Sequence, residues 1–504
     1  MLLIHPPCAK ACEPPAGIAR LAGALATHDI PHRIWDANLE GQLWLLEQQP
    51  TATDTWTKRA WRNRKANLAA LRDRRTYDNP GRYATAVNDL NRLLALTGQP
   101  WQADVSLADY RHGTLSPLRS NDLLAAAAHP EQNPFFPFFR QRMETLLEDI
   151  SAVGISLTYL SQALCSFALI GLIRQLAPDV TILLGGGLVT SWLQRPGWHN
   201  PFDGLVDHLI AGPGESALLS LYDRQPSNPA AAPCYDRFPL HDYLAPGPII
   251  PYSAASGCWW NRCSFCPEQA EGNHWQPIPH DHTIEQLHNL AAKYHPALLH
   301  ITDNAISPAL LKRLTEHPLA TPWYGFARFD EQLAAPHFCH GLRRAGCVML
   351  KLGLESGSQK VLDSLQKGID LEVAARVLEN LHAAGIAVYC YLLFGTPAED
   401  EAAARQTLAF VLRHSKAITF LNLAIFNMPL FGDEAQEHGT GLFYEGDLSL
   451  YTGFSHPSGW HRGKVRRFLE QEFKRHPAIA AIIKRDPPVF TSNHAPFFAN
   501  AGSR

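Results

Sequence analysis

The sequence predicts an α/β protein: an N-terminal Rossmann-like domain with a helical insertion, then a partial (β/α)6 TIM-type barrel, then a mixed C-terminal tail. Three observations predict it. Short apolar runs alternate with helix-period segments at both ends of the first 225 residues, and glycine-rich turns close the strands. Between about residues 44 and 144 the alternation stops and Arg, Trp, Gln and Asn dominate, with helical stretches such as Trp56 to Leu71 and Tyr83 to Leu96. From residue 249 onward, strand and helix patterns alternate six times in a row, which is the pattern of a parallel barrel left incomplete.

The first domain is expected over residues 1–225. Leu2 to Ile4 is a short strand ended by Pro6-Pro7, Pro15 to Ala26 a helix with small residues for close packing, and His32 to Trp35 a second strand. After the insertion, Ala152 to Leu157 is a strand that ends in Ser156, Thr158 and Tyr159, and a helix follows from Gln162 to Leu176. Thr181 to Leu184 runs into Gly185-Gly186-Gly187, and Leu205 to Ile210 leads into Gly212-Pro-Gly214-Glu215 and another helix. Glycines at strand ends let a ligand approach the backbone, and the crevice outside the carboxyl ends of parallel strands is the expected ligand site of such a sheet. Plain tight turns explain the same glycines equally well. The Arg-rich run Arg59 to Arg75 reads as a solvated helix face.

The Pro-rich stretch 226–248 reads as a linker, and the barrel is expected over 249–446. Its strands are Ile249–Ala255, Leu298–Thr302, Trp323–Ala327, Val348–Leu354, Ala387–Leu393 and Thr419–Ile425, with helices between them such as Thr283 to Lys293, Leu371 to Ala384 and Ala402 to Arg413. Polar residues gather at the strand ends: Asp303-Asn304, Arg328, Glu355-Ser356 and Gly395-Thr396-Pro397. The extension 447–504 is less regular, with a basic helix in Gly459 to Lys484 and a histidine, His494, that packs or lies on the surface.

Composition excludes several classes. A 46% hydrophobic content is ordinary for a globular protein, and no apolar run approaches the ~20 residues needed to span a bilayer. The formal charge of -3 argues against a basic nucleic-acid-binding surface. Met-Leu-Leu-Ile-His-Pro-Pro lacks the basic start and cleavage site of a signal peptide. Ten scattered cysteines are not a disulfide framework and fit a reducing cytoplasm.

Three of those cysteines stand apart. Cys258, Cys263 and Cys266 lie in Gly257-Cys-Trp-Trp-Asn-Arg-Cys-Ser-Phe-Cys-Pro267, spaced Cys-x4-Cys-x2-Cys, directly after the first barrel strand. Structural zinc normally takes four protein ligands, and 4Fe–4S clusters are usually held by four cysteines. Three thiolates leave a metal corner open to a solution ligand. The alternative is a zinc knuckle completed by His274, His280 or His282, which would make the chain a zinc-stapled binding protein.

With the loop placed on a barrel strand end, the chain resembles the radical SAM superfamily, in particular its members with a cobalamin-binding domain. The aromatic Phe265 before the last cysteine matches that family's loop, while the first gap is one residue longer than the commonest Cys-x3-Cys-x2-Cys. Gly353-Leu-Glu-Ser-Gly-Ser-Gln359 followed by Lys367-Gly368, Phe394-Gly-Thr-Pro397, and Asn427-Met-Pro-Leu-Phe-Gly432 resemble the motifs after the fourth, fifth and sixth strands. The resemblance covers about residues 240 to 440. It implies a 4Fe–4S cluster on the three cysteines, with S-adenosylmethionine on the open iron and a 5′-deoxyadenosyl radical as the reactive species. It implies ribose binding by Glu355, and S-adenosylmethionine contacts from Asp303, Asn304, Arg328, Ser356 and Gly395. It also implies an external one-electron donor such as flavodoxin or ferredoxin, and a small-molecule or peptide substrate.

The N-terminal half is similar to the cobalamin-binding domain that precedes many such barrels. The similarity implies cobalamin contacts from Ser156, Thr158, Gly185, Gly186, Gly187, Gly212, Gly214 and Glu215, and methyl transfer as one outcome, with rearrangement, ring contraction or oxidation also open. The Asp-x-His-x-x-Gly signature is not intact. Asp36-Ala-Asn38-Leu-Glu-Gly41 has its spacing, but Asn replaces His and it follows a different strand. Bound cobalamin is therefore expected to lack a histidine on its lower face. A radical enzyme whose N-terminal domain is a relic without cobalamin stays open.

Overall fold

The computed structural model describes residues 1–52, 54–228, 230–442, 446–488 and 494–502. These divide into two compact units, residues 1–249 with 446–450, and residues 250–442 with 451–487 and 494–502.

The first unit is built on five strands: β1 (Leu2–His5), β2 (Arg33–Asp36), β3 (Ala152–Ser156), β4 (Thr181–Gly185) and β5 (His208–Ile210). Every pairing is parallel and the order is β2-β1-β3-β4-β5. That order reverses direction between β1 and β3, so the crevice of a doubly wound sheet opens beyond their carboxyl ends. The central strands β1, β3 and β4 are mostly buried and apolar because helices cover both faces, while the edge strands carry Arg33 and His208. Leu160–Leu176 supplies the longest covering helix, buried along most of its length.

The insertion is largely helical, with two additions to the sequence reading. Its helices begin at Ala37, directly on the end of β2, because Asp36 caps Leu39 N–H. It also contains a short antiparallel hairpin, Ala103–Val105 with Tyr110–His112. The Arg-rich helix Thr55–Arg72 is mostly a solvated face, as expected. Asn38 is buried and accepts from Ala9 N–H at 2.7 Å, so the Asp36–Gly41 spacing is a structural feature and not a ligand motif.

The linker reading of 226–248 is corrected. Its described residues form no helix or strand, but it packs on the first unit. Tyr243 is buried with Ala11 and Leu39, and its hydroxyl donates to Asp36. Cys234 N–H bonds to Ala19 carbonyl at 2.8 Å. The prolines that suggested a free tether instead rigidify a segment anchored by buried tyrosines. The extension 447–504 is likewise not one separate piece: within the first unit, Asp447 accepts from Ser120 N–H at 2.9 Å, while 451–487 belongs to the second unit.

The second unit carries six strands: β6 (Ile249–Tyr252), β7 (Leu298–Ile301), β8 (Trp323–Ala327), β9 (Cys347–Glu355), β10 (Ala387–Phe394) and β11 (Phe420–Ile425). They lie side by side in chain order in one sheet, with helices between them, as the six apolar runs predict. The tail packs against the same unit. Its basic segment is not one helix but Arg462–Phe468, a π turn at Leu469–Phe473, and Pro477–Ile483, because proline restarts the helix. His494 stacks on Tyr389 with centroids 4.7 Å apart and meets Phe420 edge-on, so it is a packing residue of the barrel interior. Residues 491–493, just before it, lie outside the described residues.

Candidate active site

The barrel's carboxyl edge gathers the cysteine loop and its neighbours. The chain leaves β6 and pairs Ala255–Ser256 with Gln276–Pro277, which fixes both ends of the loop. Asp303, at the end of β7, accepts from Ala254 N–H at 2.7 Å and Ala255 N–H at 3.3 Å. Asn304 donates to Gly257 carbonyl at 3.4 Å. These two residues, expected to hold S-adenosylmethionine, are bonded to the backbone that leads into Cys258. Cys263 is buried and Cys258 and Cys266 are half-buried. Burial pushes the Cys266 thiol up to about 11. No three His, Cys, Asp or Glu side chains among the described residues form a group able to hold a single ion.

The loop is braced from three sides. Ser264 N–H bonds to Leu365 carbonyl at 3.2 Å, and Ser264 Oγ donates to Glu434 Oε1 at 2.8 Å, on the helix Asp433–His438. Trp260 Nε1 donates to Gln366 carbonyl at 3.0 Å, and its ring lies flush on Gly368, where a Cβ would sit 2.1 Å from ring carbon. Only glycine fits there, and its φ of 63° also favours glycine. Arg328, at the end of β8, is buried. Its guanidinium lies 4.4 Å from the Trp260 ring centroid, places Nη1 3.9 Å from Cys263 Sγ, and donates from Nη2 to Lys367 carbonyl.

Glu355 ends β9 with a φ of 66°, a strained value for glutamate, where the pairing of β9 with β10 shifts register. Its Oε1 receives Lys367 Nζ at 2.8 Å, and both side chains are nearly buried. Gly353 leaves room for this pair, since a Cβ there would lie 2.4 Å from Glu355 Oε1 and 2.9 Å from Lys367 Nζ. Ser356 is fully buried, its hydroxyl bonded to Thr407 Oγ1 at 3.2 Å and to Ser358 N–H at 3.1 Å. It shapes the turn beyond Glu355. Gly395 N–H is taken by Glu399 Oε2 at 2.5 Å.

Lys367, Trp260 and Glu399 are site residues that the strand-end reading did not single out. Glu399 Oε2 also receives Trp460 Nε1 at 3.0 Å, while its buried Oε1 has no partner. Burial raises its carboxyl to about 7. The signal for Trp260 was present in the doubled tryptophan of the cysteine loop. Glu399 had none, because its burial comes from Trp460 in the tail.

The first unit's carboxyl edge handles its polar groups internally. Gln162 Oε1 accepts from Thr158 and Tyr159 N–H, both at 3.0 Å. Gly186 has a φ of 110°, and a Cβ there would lie 2.4 Å from Leu157 carbonyl oxygen. That turn is pulled onto the next by Leu157 N–H to Gly185 carbonyl at 2.7 Å. Glu215 forms an ion pair with Arg20, and Gly212 N–H bonds to Thr190 Oγ1 at 2.9 Å. Ser156, Gly187 and Gly214 line the same edge, and Tyr159 and Leu160 are exposed beside them.

Six parallel strands in order, with a three-thiol loop on the first and a strained glutamate on the fourth, define a class: partial barrels that carry their chemistry on a cysteine loop at the carboxyl edge. Residues 252–411 match the family model of the Radical SAM superfamily. Over 191 residues the chain is 25% identical to an uncharacterized methyltransferase of Pyrococcus horikoshii, a match that covers 35% of this chain and 40% of that relative. Among solved structures it is similar to the radical S-adenosylmethionine methyltransferase TsrM of Kitasatospora setae with cobalamin and a [4Fe-4S] cluster bound. That similarity has a TM-score of 0.47 and 17% identity, over 78% of this chain and 94% of that one. It is also similar to the cobalamin-dependent S-adenosylmethionine radical enzyme OxsB, with a TM-score of 0.46 and 16% identity over 56% and 46% of the two chains. No helix among the described residues is long and apolar enough to cross a membrane.

Proposed function

We propose that the protein is a radical SAM enzyme that holds a 4Fe–4S cluster on Cys258, Cys263 and Cys266 and binds S-adenosylmethionine against Glu355. The observation that carries this reading is the three-thiol loop, clamped at the barrel edge by Asp303, Asn304, Trp260 and Arg328. The donor set fits the cluster. Soft thiolates suit iron–sulfur chemistry, and thiols spread along a loop suit a cluster with one thiolate per iron better than a single ion that draws them to one point. Trp259 Nε1 and Asn261 Oδ1, buried on the loop without partners, add polar atoms available to a bound group. When bound, the cluster and S-adenosylmethionine together supply one-electron reductive cleavage and an organic radical. The residues do the rest. Glu355 offers Oε2 to a hydroxyl donor while Lys367 holds Oε1 in place. Asp303 and Asn304 fix the loop backbone.

Methyl transfer with cobalamin on the first unit is the finer part of the proposal. The sheet order, with its crevice beyond β1 and β3, and the small residues Ser156, Thr158, Gly187 and Gly212 support it. A second reading, a radical enzyme without cobalamin, is favoured by the use of Gly186 for turn packing and of Glu215 for an ion pair.

Two assays test the proposal. Anaerobically reconstituted protein with S-adenosylmethionine and dithionite is expected to form 5′-deoxyadenosine or a methylated product, and no consumption of S-adenosylmethionine would refute the enzyme reading. Reconstitution with hydroxocobalamin, followed by ultraviolet–visible spectroscopy after desalting, is expected to show retained cobalamin. Its loss would select the second reading.

A further inference from the structure

The buried guanidinium of Arg328 has no carboxylate within ion-pair distance among the described residues. It is enclosed by the rings of Trp260 at 4.4 Å and Trp259 at 5.7 Å, and it reaches Cys263 Sγ and Lys367 carbonyl. Burying a permanent cation is costly unless an anion compensates it. Cation–π contacts and one carbonyl offset only part of that cost. The Asp330 carboxyl, two residues on, interacts with it at longer range without forming an ion pair. The anion within contact distance is the sulfur of Cys263 as a thiolate, and through it whatever metal group the three thiolates hold.

We propose that Arg328 is the counter-cation of the cluster, a positioning residue that acts through Cys263 and raises the cluster's reduction potential. The inference rests on the cluster reading above. Three thiolates around an oxidised 4Fe–4S core leave a net negative charge, and one-electron reduction adds another unit. A fixed cation on one ligand sulfur therefore favours the reduced form, in the way that charge and hydrogen bonds to cluster sulfurs set potentials generally. The longer first gap of the cysteine loop fits this role. Trp260, within that gap, lies flat on Gly368 and over the guanidinium, which holds the cation against sulfur and away from water. Arg328 also bonds to the Lys367 backbone, and Lys367 Nζ binds Glu355, so a continuous chain of contacts runs from Cys263 to the proposed ribose-binding carboxylate.

This assignment differs from a direct role in binding S-adenosylmethionine, and the two give different results. Reconstituted wild type, Arg328→Gln and Arg328→Lys are titrated with dithionite in the absence of S-adenosylmethionine. The reduced cluster is followed by electron paramagnetic resonance, with iron and sulfide measured in parallel. The expected result is a more negative midpoint in Arg328→Gln, with the reduced-to-oxidised ratio at a fixed potential about tenfold lower, and a near-normal midpoint in Arg328→Lys. An unchanged midpoint in Arg328→Gln with full iron content would overturn the proposal, and weakened S-adenosylmethionine binding in that variant would then assign Arg328 to the substrate side. If Arg328→Gln loses the cluster, retention by Arg328→Lys supports the role of charge. Loss in both variants would show a packing role and overturn it. Absence of iron and sulfide from the wild type would instead defeat the cluster reading itself.

Discussion

The two carboxyl edges of this chain follow the same strand–turn–helix plan but treat polar groups in opposite ways. On the first unit's edge, Gln162 satisfies two backbone N–H groups, Glu215 pairs with Arg20, and Gly186 is spent on turn packing. On the barrel's edge, buried Arg328 has sulfur but no carboxylate, Glu399 keeps a bare oxygen, and Trp259 and Asn261 each leave a polar atom unpaired. Unsatisfied buried polar groups are costly and rare. Those of Trp259, Asn261 and Glu399 suit the ligand proposed for the barrel's edge, while others, such as those of Tyr83 and Trp198, lie elsewhere. The first unit's edge instead leaves Tyr159 and Leu160 exposed.

The largest effect is expected at the cysteine loop. Cys263→Ala should abolish iron and sulfide binding, and with it all turnover. Normal metal content in this variant would remove the loop from the contrast.

Gly186→Leu should be the most damaging single change on the first unit's edge. A side chain there meets Leu157 backbone in a left-handed conformation, so a cost of about 4 kcal/mol or more is expected. Gly212→Ala, with open space around its Cβ, should cost only about 1 kcal/mol. Thermal unfolding of the two variants checks this. A Gly186→Leu protein of normal stability that has lost only cobalamin binding would mean that this glycine faces ligand after all.

Glu355→Ala should weaken S-adenosylmethionine binding by about one to two decades, since a charge-assisted hydrogen bond contributes roughly 1.5–3 kcal/mol. It also strands the buried Lys367 ammonium, so stability should fall by about 3 kcal/mol. Anaerobic equilibrium dialysis separates the two consequences. Unchanged affinity alongside lost stability would make Glu355 structural.

A further, pH-dependent effect concerns Glu399. Its folded carboxyl, near 7, lies above the ordinary value of 4.5. A raised acid favours folding fully below about pH 4.5, and that contribution is lost as the pH rises to about 7. Glu399→Gln should flatten this stretch of the stability profile, by on the order of 2–3 kcal/mol. Melting curves of both proteins from acid to neutral pH test it, and parallel profiles would contradict the burial argument.

Much of this arrangement was legible in the sequence because it is local. Six apolar runs gave six barrel strands, and the cysteine spacing with its tryptophans lies within one loop. Tertiary bonding was not legible. Asp303 is a free strand-end acid in the sequence, but its partners are Ala254 and Ala255, far upstream. Glu399 looks like an ordinary acid at a helix start until Trp460 buries it from 61 residues away. The prolines of 226–248 suggested a tether because the anchoring bond from Tyr243 to Asp36 joins residues remote in the chain.

The most direct test of the central claim is elemental and spectroscopic analysis of anaerobically reconstituted wild-type protein, with and without S-adenosylmethionine. The account predicts about four irons and four sulfides per chain, and a dithionite-reduced paramagnetic signal that shifts when S-adenosylmethionine is added. Bound zinc without sulfide, or a cluster signal indifferent to S-adenosylmethionine, would contradict it.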